Sequence, residues 1–225
     1  TRMGLTPLTS TIKIGNYFLS NCTGLKSIDF TSLSAITSIG DSFLNSCSGL
    51  TSINLTPLTS INEIGVNFLA NCYGLTSINL TPLYRISIIP DYFLYYCSGL
   101  TSVDLSKLTT NITSIGDGFL QGISKITTVA FTATFLTVTS IGNYFLASDE
   151  ALSSLNFANL SNVLSIGNDF LDYDYGFTSI NLSPLTKLET IGTYFMYTNT
   201  SNTKLTSITF PTTSALKYIG ADFLY

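Results

Sequence analysis

Between Leu75 and Gly99 the chain reads LTSINLTPLYRISIIPDYFLYYCSG, and two spacings of apolar residues share that stretch. Ile78 and Leu80 alternate with Ser77, Asn79 and Thr81, the period of two that sets one face of a strand against a core and the other in water. Pro82 then ends the strand, because its nitrogen has no hydrogen to give a ladder; Pro7, Pro57 and Pro184 stand at the same place elsewhere. After a further apolar pair most copies read IGxxFL. There the glycine permits a sharp turn, and Asn16, Asp41, Asp91, Asp117, Asn143 and Asn168 are placed to cap one turn of helix. One unit is predicted to be a short strand, a turn and a short helical or 3₁₀ segment that leads back to the start.

The unit recurs to the end of the chain. LTSINLTPL occupies residues 50–58 and returns unchanged at 75–83. Phenylalanine recurs at Phe18, Phe43, Phe68, Phe93, Phe119, Phe145, Phe170, Phe195 and Phe223, with a glycine three residues earlier except where Pro90 replaces it. A period of this length is the mark of stacked units, each burying its apolar face only against its neighbours. Stacked at about 4.8 Å per strand, the phenylalanines form one column. Ile28, Ile53, Ile78, Val103, Val129, Leu155, Ile180 and Ile208 form a second, and the line from Phe30 and Leu55 to Phe210 a third. The predicted fold is a right-handed α/β solenoid of about nine 25-residue coils. It has one parallel sheet on its inner face and short helical or 3₁₀ turns opposite. No composition shift divides the chain, so residues 1–225 are read as a single unit, with both ends falling inside a repeat.

The order LxxIxLxPLxxIxxIGxxFLxxCxG resembles the repeats of the BspA-like leucine-rich-repeat family, which carry an IG turn, a central aromatic residue and a frequent cysteine. The likeness covers the whole chain, although FL stands for the family's usual AF and the cysteine is absent after the fourth coil. The resemblance implies a surface-exposed or secreted protein with a role in adhesion or host binding.

Composition narrows the function classes. Nine basic and thirteen acidic residues leave a net charge of -4, and the basic ones are scattered singly, which argues against a nucleic-acid partner. No apolar run approaches the roughly 20 residues of a membrane span. The absence of histidine removes the ordinary Ser or Cys triads, and no phosphate-cradling loop occurs, so no enzyme is expected. Charged residues make up 10% of the chain, against about 25% in typical domains. Solubility therefore rests on 62 serines and threonines, and a surface so poor in like charge repels other molecules weakly. Self-association is thus a second possibility: a filament or coat component whose solenoids join end to end or side by side, since open solenoid ends invite pairing.

Three sets of residues are candidates for function. Asp29, Asn54, Asn79, Asp104, Asn156 and Asn181 form a central polar rank on the outward strand face, either as a ladder of stacked amides or as a contact surface for a protein or glycan. Tyr73, Tyr95, Tyr96, Tyr173, Tyr175 and Tyr197 lie in loops, and tyrosine is enriched at interfaces. Cys22, Cys47, Cys72 and Cys97 stand one repeat apart, near disulfide range but more simply a column of buried thiols. Further along, that column becomes Ile123, Asp149, Asp174 and Asn199, with Glu150 and Asp172 close by. Such carboxylates on adjacent coils suit a solvated loop edge or, if something neutralises them, a Ca²⁺ site.

Overall fold

The computed structural model describes residues 2–4, 10–108, 111–197, 204–212 and 215–224. Its coils stack as the spacing requires. Phe18 lies 5.8 Å from Phe43, Phe43 5.4 Å from Phe68, and Phe68 5.7 Å from Phe93, with ring planes within 13° of parallel. The column continues through Phe119, Phe145, Phe170 and Phe195 to Phe223. Seven of these rings, Phe43 to Phe195, are wholly buried. Each such side chain contributes about 1.5–3 kcal/mol by leaving water, and each parallel pair a further ~0.5–1.5 kcal/mol.

The strand expected at SINL pairs in parallel at three places. Arg2–Gly4 lies beside Ser27–Asp29, Thr128–Ala130 beside Ser154–Asn156, and Ser179–Asn181 beside Ser207–Thr209. A second parallel ladder, which the sequence reading did not anticipate, is more continuous and sits just before the IG glycines. Lys13–Ile14, Ser38–Ile39 and Glu63–Ile64 form a three-stranded sheet. Ile88–Ile89, Ser114–Ile115, Ser140–Ile141, Ser165–Ile166, Thr190–Ile191 and Tyr218–Ile219 form one of six strands. The glycines explain why the coils close up there. A Cβ on Gly65 would lie 2.5 Å from the Asp41 nitrogen, and one on Gly142 2.6 Å from the Gly116 carbonyl carbon. Glycine at this column serves close approach between coils, and among the described glycines only Gly118 and Gly122, outside this column, take a positive φ.

The Asn or Asp that follows the turn caps no helix. Its side-chain oxygen instead accepts the N–H of the equivalent residue in the next coil: Asp41 N donates to Asn16 Oδ1 (3.0 Å), Asp117 N to Asp91 Oδ1 (2.9 Å) and Asn168 N to Asn143 Oδ1 (2.8 Å). In the third coil Val66 offers no such oxygen, and in the fourth Pro90 offers no N–H where Gly40 and Gly65 donate to Ile14 and Ile39 (2.8 Å each). The ladder is interrupted at this one step, between Glu63–Ile64 and Ile88–Ile89.

Nor does the FL segment form a helical turn. Around Phe43, Ser42, Leu44 and Ser46 have φ of +57°, +53° and +60°, and the same left-handed alternation recurs around the other phenylalanines of the column. Left-handed backbone costs a non-glycine residue roughly 1–2 kcal/mol. Three features offset the cost. Leu44 is wholly buried, its N–H donates to Phe18 O of the preceding coil (2.9 Å), and Ser42 and Ser46 donate forward to Val66 O and Ala70 O (2.8 Å each). Along the left-handed residues, successive N–H groups thus point alternately to the following and to the preceding coil. The short 3₁₀ segments fall elsewhere, after the SINL strands, at Thr81–Leu83, Leu105–Lys107, Ala133–Thr137 and Ala158–Leu160.

Candidate binding surface and buried acid column

The polar rank is built by local turns rather than by stacked amides. Asp29 Oδ1 accepts from Thr31 N, Asn54 from Thr56 N, Asn79 from Thr81 N and Asn181 from Ser183 N at 3.0 Å, while Asp104 accepts from Ser106 N and Asn156 from Ala158 N at 2.9 Å. Each is an Asx turn, and at Asp29, Asn156 and Asn181 it falls on the last residue of a strand. Among the described residues no amide of the rank bonds to another. With the oxygens held inward, the Asn54, Asn79, Asn156 and Asn181 side chains remain exposed beside the exposed Ser52, Ser77, Ser154 and Ser179. The Ser106 hydroxyl and N–H, with Lys107 nearby, hold Asp104 below the usual carboxylate range. The rank presents amides and hydroxyls, with formal charge only at Asp29 and Asp104.

The four cysteines are free. Cys47, Cys72 and Cys97 are buried and donate their thiol hydrogens to Leu19 O, Leu44 O and Leu69 O of the preceding coils, at 3.1, 3.2 and 3.1 Å. Each thus serves a carbonyl of the left-handed turn. Burial pushes Cys72 well up and Cys97 up to about 12, so neither is a thiolate at neutral pH.

Asp149 and Asp174 continue that column, and both are completely buried, with Asp172 beside them nearly so. The solvated loop edge expected for them is therefore corrected: a position that holds cysteine in four coils faces the interior in the later coils too. Ile123 N donates to Asp149 Oδ1 and Asp149 N to Asp174 Oδ1, both at 2.6 Å, binding each coil to the next. The other oxygen of each, and Oδ1 of Asp172, is buried with no hydrogen-bond partner. Desolvation, and then the Asp174 carboxyl, raises Asp149 well above the normal carboxylate range. Desolvation, with Asp172 and Glu150 adding to it, does the same for Asp174. Asp172 is pushed up to about 7 by burial and by Asp169. Asp149 and Asp174 are thus biased towards the neutral acid. Glu150 is exposed. Among the described residues no three His, Cys, Asp or Glu side chains are grouped to hold a metal ion. Asn199 lies outside the described residues.

The loop tyrosines divide into two clusters. Tyr92, Tyr95 and Tyr96 meet edge to face, at 5.3 and 4.5 Å, on the fourth coil, and Tyr173, Tyr194 and Tyr197 do so at 6.3 and 5.4 Å near the other end. Tyr92 and Tyr96 lean onto the fifth coil at Gly118 and Gly122, the two described positions of the left-handed turn where glycine stands. Tyr73 is half exposed and bonds through its hydroxyl to Asn71 (3.1 Å).

Comparison with known proteins places this architecture. A leucine-rich cell surface protein of Faecalibacterium prausnitzii superposes with a TM-score of 0.56 at 19% identity, covering 96% of this chain and 48% of its own. This chain therefore spans about half the length of that relative. A leucine-rich repeat protein of Bacteroides ovatus aligns over 98% of this chain and 74% of its own, at 17% identity and a TM-score of 0.41. The functional domain of InlJ from Listeria monocytogenes, described as including a cysteine ladder, aligns over 93% of this chain and 50% of its own, at 15% identity and a TM-score of 0.35. No curated protein matches the chain. No helix among the described residues is long and apolar enough to cross a membrane. The sequence model for the BspA-type leucine-rich repeat region matches residues 5–114 and 87–225 in six copies. With its stacked phenylalanines, IG glycines and cysteine column all in register, the chain belongs to the BspA-type leucine-rich repeat family.

Proposed function

We propose that this chain is a non-enzymatic recognition module, displayed at a cell surface or secreted, that adheres to a protein or glycan through the side of its solenoid. The observation that carries the reading is the Asx rank. Six side chains are held by 2.9–3.0 Å bonds to their own turns, so their outward groups are fixed before any ligand arrives. Pre-ordering of this kind reduces the conformational entropy lost on binding. Low charge and abundant hydroxyls make the surface adhesive without long-range steering. Family membership and the cell surface relative support display outside the cell.

The test immobilises the chain and passes extracellular-matrix proteins and a glycan array over it, alongside a Ser52→Lys/Ser77→Lys/Ser179→Lys variant. These serines are exposed beside the rank, so the lysines crowd the surface and leave the Asx turns intact. Saturable binding to the wild type that the triple variant loses supports the proposal. Binding that the variant retains, or no binding at all, overturns it.

A further inference from the structure

A second feature of the surface is concave. Four coils meet in a slot of about 370 Å³, a volume within the range of small-ligand sites. It exists because of a gap in one column. The third position after each phenylalanine reads Tyr96, Gly122, Ser148 and Tyr173 on successive coils, so two small residues stand between two tyrosines. Gly122, at φ +76°, leaves room for the Tyr96 ring to lie across it. A Cβ there would be 2.8–3.0 Å from three atoms of that ring. Tyr96 is thereby laid flat along the surface and braced by Tyr95 at 4.5 Å. At the other end stand Tyr173 and Tyr175, with Glu150 near enough to help push the Tyr175 phenol up, behind burial and Tyr173. Between them the slot is lined by the hydroxyls of Ser98, Ser124 and Ser148.

We propose that this slot binds a short neutral oligosaccharide, with Tyr96 and Tyr173 as platforms for sugar rings and Glu150 with the serine hydroxyls as partners for their hydroxyl groups. The inference rests on the recognition role proposed above and assigns it a site and a ligand class. The chemistry of the lining selects the class. Tyrosine combines a broad apolar face with a polar tip, which suits a ring that has C–H faces and a hydroxyl rim. The serines give and accept hydrogen bonds, and the carboxylate accepts two. No lysine or arginine lines the slot among the described residues, so it has no counter-charge for a sialylated or sulfated glycan. It also lacks aliphatic side chains, the usual anchors for an apolar peptide residue. Three coil spacings separate Tyr96 from Tyr173, about 14 Å at the strand repeat. That length calls for linked sugars rather than one.

The experiment titrates the intact chain with neutral trisaccharides of glucose, galactose, mannose and N-acetylglucosamine, with sialyllactose and with a tyrosine-free peptide library, by calorimetry and saturation-transfer NMR. Tyr96→Ala, Tyr173→Ala and Glu150→Gln are compared with Tyr17→Ala, an exposed tyrosine remote from the slot, and all are checked for native circular dichroism. Binding of at least one neutral trisaccharide, weakened about tenfold by each ring deletion and unchanged by Tyr17→Ala, supports the assignment; the loss of one stacked ring at ~1.4 kcal/mol corresponds to that factor. Binding confined to sialyllactose or peptide, no binding at millimolar sugar, or binding indifferent to Tyr96 and Tyr173 overturns it. The lysine triple variant on the Asx rank separates the two readings. A matrix protein captured by the wild type, lost in that variant and unaffected by the tyrosine changes leaves the recognition role standing and removes only this slot.

Discussion

Neutralising the buried acids should change how the solenoid responds to pH, and the sign follows from their environment. An aspartate in the unfolded chain titrates near 3.9, whereas Asp149 and Asp174 are raised well above that value in the fold and Asp172 to about 7. Below about pH 4 both states are protonated and the full stability is present. As pH rises from there, the unfolded chain releases protons that the folded chain retains, and stability falls until the folded groups titrate, near 7 for Asp172 and well above the unfolded value for the other two. Each group lowers stability by up to about 1.4 kcal/mol per pH unit inside its window, so Asp149 and Asp174 together account for at most ~3 kcal/mol per unit. The assay is urea unfolding followed by circular dichroism at pH 4.5, 6.0, 7.5 and 8.5, for the wild type and for Asp149→Asn/Asp174→Asn. Asparagine keeps the Oδ1 acceptor that Ile123 N and Asp149 N use and cannot ionise. The wild-type midpoint should fall steadily across the series, and the variant's should fall much less. A wild-type midpoint that holds or rises with pH, or an equal slope in the variant, would refute the reasoning.

Three further outcomes follow from the packing. Gly142→Ala, whose Cβ would lie 2.6 Å from the Gly116 carbonyl carbon, should lower the thermal midpoint by several degrees, while Gly15→Ala, with nothing within 4 Å, should leave it nearly unchanged; equal effects would remove the close-approach account of the glycines. Val66→Asn supplies the missing acceptor at the interrupted step and should raise stability by about 0.5–1.5 kcal/mol in urea unfolding, and a decrease would show that the gap is not a missing hydrogen bond. Iodoacetamide at pH 8 should modify Cys22, the half-buried member of its column, well before Cys47, Cys72 and Cys97, as read by mass spectrometry of the native protein; equal labelling would contradict the buried thiols.

The repeat, the aromatic column and the buried strand positions were legible because identical residue types return at a fixed interval, and stacking then makes sequence neighbours of rank into spatial neighbours. Phe43, Phe68 and Phe93 could be placed in contact from their numbers alone. The turn around them could not. Leucine at a positive φ contradicts its own backbone preference, and only bonds between coils, invisible in one copy, outweigh that preference. A trace was present in Asn67, Asn71, Asp169, Gly118 and Gly122, since Asn, Asp and Gly tolerate that region and all occupy the turn's alternate positions. The acid column was misread because carboxylates were assigned to solvent by type, although the cysteines they replace had already marked the column as interior. For the Asx rank, the nearby backbone N–H two residues on competes better for each oxygen than a partner in the next coil does.

The alternating turn has a consequence for how such a chain changes over generations. Each coil offers its neighbours the same interleaved set of donors and acceptors on both flanks, so a duplicated or excised coil finds a matching socket on both sides, while the loss of two or three residues inside a turn leaves buried groups without partners. Copy number is thus free to drift in whole units, and the reach of the molecule can lengthen or shorten without any redesign of its interior.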